Sequence, residues 1–228
     1  MNTNSSKRIG SATRGFTGWD LLICVVTVVL FLGVFLPVLI KPKNRRSERI
    51  ICVSNLKQIG LAFRMWSNDH YDRFPVVVAA AETNGGTMDF NLTGDVWRHF
   101  QVISNELNTP KVLVCPKDNR KKVVDWGPFT NNAHLSYFVG LDADETKPQT
   151  ILSGDRNLIS ATIKPLKGVL NVTTNDHVEW TKAIHNQAGN FALADGSAQQ
   201  IAPYHLNKQF QAAFNSTTQA VHRIALPE

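Results

Sequence analysis

Leu21–Ile40 reads LLICVVTVVLFLGVFLPVLI, 20 consecutive residues without a charged side chain. As a helix rising about 1.5 Å per residue it is about 30 Å long, the hydrocarbon thickness of a bilayer. The run is too long and too uniformly apolar for a buried core helix. A cleaved secretory signal has an apolar stretch of about 7–15 residues ending at small residues. This run is longer, and Lys41, Lys43, Arg45, Arg46 and Arg49 follow it. A retained single-pass membrane helix is therefore expected over residues 16–40.

Charge separates the chain into two parts. The 228 residues carry a formal net charge of +6, yet residues 1–57 hold nine Lys and Arg against Asp20 and Glu48, whereas residues 58–228 hold 15 against 16 acids. The basic balance thus belongs to the N-terminal quarter, and the near-neutral remainder argues against a nucleic-acid-binding domain. That remainder is long enough for one domain with a real core. No tandem repeat of about 20–50 residues is visible.

Outward from the apolar run, Arg14-Gly15-Phe16-Thr17-Gly18-Trp19-Asp20 precedes it. A carboxylate costs about 2.5–3.5 kcal/mol at the centre of an inserted helix and less near the interface, so Asp20 is a functional candidate. It also suits a helix N-cap or first-turn acid, and the two roles are compatible.

Gly-Phe-Thr, an acid at the fifth position counted from Phe16, and the long apolar helix resemble a type IV prepilin or pseudopilin signal. The resemblance implies cleavage after Gly15 by a prepilin peptidase on the cytoplasmic side and methylation of Phe16. It implies that Asp20 neutralises the terminal amine of a neighbouring subunit as helices bundle. Pro37 matches a proline common at that distance, where it would kink the helix. The family's usual acid is Glu, and its usual apolar pair stands where this chain has Gly18-Trp19. Basic residues are more numerous after the helix than before it, which by the positive-inside rule alone would leave the large domain in the cytoplasm. The cleavage signal reverses that, implying an inner-membrane anchor with a cytoplasmic N-terminus and a periplasmic domain.

Downstream, Cys52, Leu56, Ile59, Phe63 and Trp66 form one apolar stripe at helical spacing, so the helix is expected to continue in amphipathic form over about 44–69. The expected divisions are a leader at 1–15, a membrane helix at 16–40, an amphipathic extension at 41–72 and a globular domain at 73–228. In the last, strands are expected at Val76–Val78, Val112–Val114, Leu135–Val139, Ile151–Gly154, Leu158–Ala161 and His177–Trp180. One helix is expected around Asp95–Leu107, another over His205–Asn215, and a loose tail after it. Asn190–Ile201 places two short apolar runs around Asp195-Gly196, a hairpin turn pair. The fold class is α+β, pilin-like, with a long membrane-to-amphipathic helix packed on a small antiparallel sheet.

The stretch His185–Ser197 resembles the H-x9-DG signature of pseudopilin-like proteins from planctomycetes and verrucomicrobia, with His185, Asp195 and Gly196 as its fixed points. Ser54–Gly60, Leu107–Asp118 ending Val-Cys-Pro-Lys-Asp, and Ser153–Leu158 also look like that group. With a periplasmic domain, Cys52 and Cys115 are the available pair for a disulfide, two free buried thiols being the alternative. Cys24 lies in the membrane helix. Zinc is not expected, since neither soluble cysteine has a second Cys or His at ligand spacing. Asp142, Asp144, Glu145 and Asp155 supply oxygen donors for calcium, which major pseudopilins bind, although a solvated acidic turn explains them more simply.

No catalytic constellation emerges. With residues 191–194 extended, His185 and Asp195 fall toward opposite ends of one strand, so they do not read as an acid–base pair. The expected function is a pseudopilin subunit of a type II secretion or type IV pilus-like filament. Its expected partners are other pilin-like subunits, the peptidase, an inner-membrane assembly platform and lipid. No cofactor is expected beyond the calcium alternative. The competing reading is a tethered module binding polysaccharide or protein, with Trp97, Trp126 and Trp180 as stacking surfaces.

Overall fold

The computed structural model describes residues 15, 17–39, 45–82, 85–217 and 219–228. The chain divides into two units, Met1–Asn44 and Arg45–Glu228. In the first, helix α1 spans Gly18–Leu39 and runs through Pro37. Its Gly18–Phe35 window has a mean hydropathy of 2.4 and no buried residue, so it is long and apolar enough to cross a membrane. The helix begins with the acid's half of a capping box. The Thr17 backbone N–H and hydroxyl both donate to Asp20 Oδ2, at 2.9 and 2.6 Å. Residues 1–14 of the expected leader, Phe16 and residues 40–44 lie outside the described residues.

The second unit begins with helix α2, Arg45–Asn68. Cys52, Leu56, Ile59, Phe63 and Trp66 of the expected stripe are all buried. They face an antiparallel sheet of six strands: β1 Tyr137–Gly140, β2 Ile151–Asp155, β4 Val169–Thr173, β6 Gly189–Leu193, β7 Ala198–Ile201 and β8 Val221–Ala225. Their spatial order is β4-β8-β1-β2-β6-β7. Two short strands, β3 Leu158–Ser160 and β5 Val178–Trp180, pair separately.

Both faces of the sheet are covered. Side chains alternate across each strand, so Tyr137, Val139, Leu152, Ala192 and Ala225 join the α2 stripe in one apolar cluster. Phe138, Ile151, Phe191, Leu193 and Ile224 turn the other way, onto Leu206, Phe210 and Phe214 of helix α5, Pro203–Ser216. Central strands buried on both sides show no apolar–polar alternation, and β1, β2 and β6 are buried at every position. At Gly154 on β2 a Cβ would sit 2.5 Å from the Phe191 ring and 2.7 Å from the Phe138 ring, so only glycine lets the flanking strands β6 and β1 carry these aromatics there.

The strands expected at Ile151, Leu158 and His177, the Asp195-Gly196 hairpin and the last helix are present. Gly196 takes φ +81°, and Asp195 Oδ1 accepts from the Ser197 N–H at 2.8 Å. Four expectations are corrected. Val76–Val78 and Val112–Val114 are not strands; each valine run lies in or beside a 3-10 turn, Pro75–Val77 or Pro110–Leu113, led by a proline that fixes φ for a helical first position. The single helix at 95–107 is two short ones, α3 Trp97–Gln101 and α4 Ser104–Leu107. The tail expected to be loose contains β8, which lies inside the sheet between β4 and β1. Strand β4 went unread.

His99, on α3, is buried, with Nδ1 2.7 Å from Thr87 Oγ1. Burial drives its pKa down to about 4 from an ordinary 6.5. The unfolded chain therefore takes up a proton below about pH 6.5 that the folded chain refuses until about pH 4. Stability is lost as pH falls through that window, by about 3 kcal/mol for this one group. The His99→Gln protein should show a correspondingly shallower fall in melting temperature between pH 6.5 and 4.

Candidate functional site

Three polar stretches of sequence converge where α2 passes over β2 and β6. The first is on α2, whose Cys52 is joined by a disulfide to Cys115, with Cα atoms 5.4 Å apart. Three residues earlier, Arg49 Nε donates to Asn190 Oδ1 at 3.2 Å, and its Nη2 donates to the carbonyls of Gly189 and Ile201. The second is the Cys115–Asp118 turn. Lys117 Nζ lies 3.0 Å from Glu48 Oε2 on α2. Asp118 accepts from Nε and Nη2 of Arg156, both at 2.7 Å, a side-on fork that locks the turn to the end of β2.

The third is the loop before β6, which carries His185. Asn157 holds that loop from below, its amide nitrogen donating to the carbonyls of Thr181, Ile184 and Ala188 at 3.0, 2.9 and 3.1 Å. His185, Asn186 and Gln187 take φ of 56°, 53° and 62°, three successive non-glycine residues in the left-handed region. Such a turn costs of order 1–2 kcal/mol per residue and persists only because its surroundings fix it.

At the centre stands Asp155, wholly buried at the end of β2. Its Oδ2 accepts from the Asn190 N–H at 2.8 Å and the Asn190 amide at 2.7 Å, while Oδ1 has no hydrogen-bond partner among the described residues. His185 Nε2 is 3.6 Å from Asp155 Oδ2 and 3.4 Å from Cys115 Sγ. Burial pushes the Asp155 carboxyl up to about 8, although the two bonds from Asn190 oppose the shift. Burial, with Arg49 next, pushes His185 down to about 4. At neutral pH both are therefore mainly uncharged, which spares the core an isolated ion. His185 also lines a cleft of about 740 Å³ shared with Arg49, Ile50, Lys117, Lys182 and Asn186.

The two ends of the H-x9-DG stretch are far apart, as the extended strand requires. His185 lies at the Arg49–Cys52 level of α2. The Asp195-Gly196 turn lies against Gly60 and Arg64, whose Nη1 donates to the Asp195 carbonyl at 2.8 Å. The stretch thus runs along the helix and is fastened at both ends.

The four carboxylates expected as calcium donors do not form one site. Asp142 is taken by the Arg223 guanidinium and backbone N–H of β8, Asp144 by Thr146 and Lys147, and Glu145 by Arg64 and Ser67. Asp155 is buried elsewhere. Neither soluble cysteine has a Cys or His at ligand spacing in the sequence, yet the fold brings a histidine beside them. Sequence spacing hides His185, whose Nε2 joins both Sγ atoms within a 4.8 Å group. Of the three tryptophans, Trp180 is buried against Phe191, while Trp126, edge-on to Phe129, and Trp97, under Arg98, are partly buried. Asn157 and Asn190 were missed, because a buried asparagine with every donor used looks like any loop asparagine in sequence.

No protein-family model matches the chain, and comparison with curated proteins and with solved structures finds no significant match.

The disulfide closes a loop spanning a sequence separation of 63 residues. The Cys52→Ser, Cys115→Ser protein should lose about 4 kcal/mol of unfolding free energy on a chain-entropy basis, read by urea denaturation of the oxidised and mutant chains. Asn157→Ala removes the side-chain donor from the buried carbonyls of Ile184 and Ala188, Thr181 keeping the Gln187 N–H, and should cost about 2–3 kcal/mol, with new protease cleavage confined to residues 181–188.

Proposed function

We propose that the chain is a membrane-anchored, pilin-like subunit of a type II secretion or type IV pilus-like filament, cleaved after Gly15 and methylated on Phe16. The observation that carries the reading is α1: an apolar helix with no buried residue in its Gly18–Phe35 window, preceded by Gly-Phe-Thr and bearing one carboxylate in its first turn. A helix of this kind gains most by packing on lipid and on copies of itself. Asp20 is held by the Thr17 N–H and hydroxyl. Both are groups of the residue next to the new terminus, so the carboxylate sits one residue from the amine that cleavage at Gly15 would create. In a bundle the carboxylate then serves the amine of a neighbour, and each charge lessens the other's desolvation.

Two further features support the reading. The disulfide fits an oxidising compartment such as the periplasm for the Arg45–Glu228 unit. The antiparallel sheet with α2 buried across it suits a domain carried at the end of a helical anchor. The tethered-module alternative gains little from the cleft, because Arg49 is committed to Asn190, Gly189 and Ile201, and Lys117 to Glu48.

Mass spectrometry of the protein from its native membrane should find N-methylphenylalanine from Phe16 as the first residue. Asp20→Ala should leave cleavage and the disulfide intact while abolishing inter-subunit crosslinks along α1. Undiminished crosslinking in that variant, or an intact leader on all the protein, refutes the filament reading.

A further inference from the structure

The Cys52, Cys115 and His185 group has a chemistry that the filament reading does not use. Two sulfurs and an imidazole nitrogen lie within 4.8 Å of one another, in the only such group of three or more His, Cys, Asp or Glu among the described residues. Nε2 is 3.4 Å from Cys115 Sγ and 3.6 Å from Asp155 Oδ2. A tetrahedral zinc-class ion with metal–sulfur bonds of about 2.3 Å and metal–nitrogen bonds of about 2.0–2.1 Å places its donor atoms roughly 3.3–3.8 Å apart. His185 Nε2 already stands at that spacing from Cys115 Sγ and from Asp155 Oδ2. Asp155 lies outside that group of three, with Oδ2 held by Asn190 and Oδ1 buried without a hydrogen-bond partner among the described residues.

We propose that this cluster is a redox-gated metal site: once the Cys52–Cys115 bond is reduced, the two thiolates and His185 Nε2 bind a zinc-class divalent cation, with Asp155 as the fourth donor. Disulfide and metal are alternatives, because a sulfur bonded to sulfur has no thiolate charge to give. The reductant is a dithiol. Its thiolate attacks one cysteine sulfur, the protein S–S bond breaks, and its second thiol resolves the mixed disulfide. Two electrons pass to the protein, which gains two thiols, and the reductant leaves as its own disulfide. The cation then displaces both thiol protons and the proton of the Asp155 carboxyl to solvent as the metal–sulfur and metal–oxygen bonds form.

Two soft thiolates and an imidazole select zinc or a similar ion over calcium and magnesium. Both sulfurs are fully buried and the His185 side chain is 3% exposed, so the imidazole stands between Cys115 Sγ and the cleft that His185 lines, and a cation entering from there must pass it. The three left-handed residues at 185–187 make the imidazole's carrier the most strained part of that wall. The H-x9-DG histidine thereby acquires a role as a ligand, and the Asp-Gly end a role as the far anchor of the same strand.

The test uses the full chain in detergent micelles on a Cys24→Ser background, which removes the free thiol on α1. The protein is reduced with dithiothreitol, freed of it without oxygen, and titrated with Co²⁺ as the probe. One equivalent should bind with a near-ultraviolet sulfur-to-cobalt charge-transfer band and the intense visible bands of a four-coordinate ion. Zn²⁺ should displace it, Ca²⁺ and Mg²⁺ should not, and the oxidised protein should show no band. Cys52→Ser should halve the charge-transfer intensity, and His185→Ala should weaken binding at least about tenfold. If reduction loosens the fold, restoration of near-ultraviolet dichroism by Co²⁺ supports the site. Failure to restore it, no uptake by the reduced chain, or equal affinity in His185→Ala overturns the proposal.

Discussion

The covalent tie between Cys52 and Cys115 sits where a helix, a turn and two buried strands must share one small polar volume, and the rest of the Arg45–Glu228 unit is arranged around that crowding. A wholly buried carboxyl beside an imidazole is expensive unless both shed their charge or find donors. Here Asn190 supplies donors, Arg49 steadies Asn190, and Asn157 fixes the loop that brings His185 in. Remove the tie and α2 keeps its apolar stripe, the Arg49 bonds and the Lys117–Glu48 pair but loses its covalent hold on the Cys115 turn.

Around that point the architecture follows from covering a sheet on both faces. Strands β1, β2 and β6 are buried throughout, and polar residues there find partners close by, Asp155 in Asn190 and the Ser153 hydroxyl in the Phe138 carbonyl. The same burial explains Gly154, where the absence of a side chain makes room for Phe138 and Phe191. The polar group is thus a consequence of where α2 crosses the two central strands, and its chemistry is confined to the helix side of the sheet.

Much of this was legible in sequence. The apolar run, the stripe on α2, the Asp-Gly hairpin and the cysteine pairing all rest on local spacing or on simple availability. What escaped depended on partners far along the chain. The β8 segment reads as polar because His222 and Arg223 interrupt it, yet Arg223 is neutralised by Asp142, 81 residues earlier. The valines at 76–78 and 112–114 have strand propensity, but the prolines before them set a turn and tertiary packing accepted it. Each stretch that builds the site was visible as a pattern. Their meeting was not, since no spacing in the sequence says that His185 comes to rest on Cys115.

The position of β8 has a consequence for how the protein is made. It lies between β1 and β4, yet every other strand of its sheet precedes it in the chain. Until the ribosome has released that stretch and any export step has delivered it, β1 and β4 wait with open hydrogen-bonding edges, the kind of surface that recruits other chains. The sheet therefore closes last and all at once, and a ribosome that stalls a few dozen codons early leaves a nascent product in need of a chaperone.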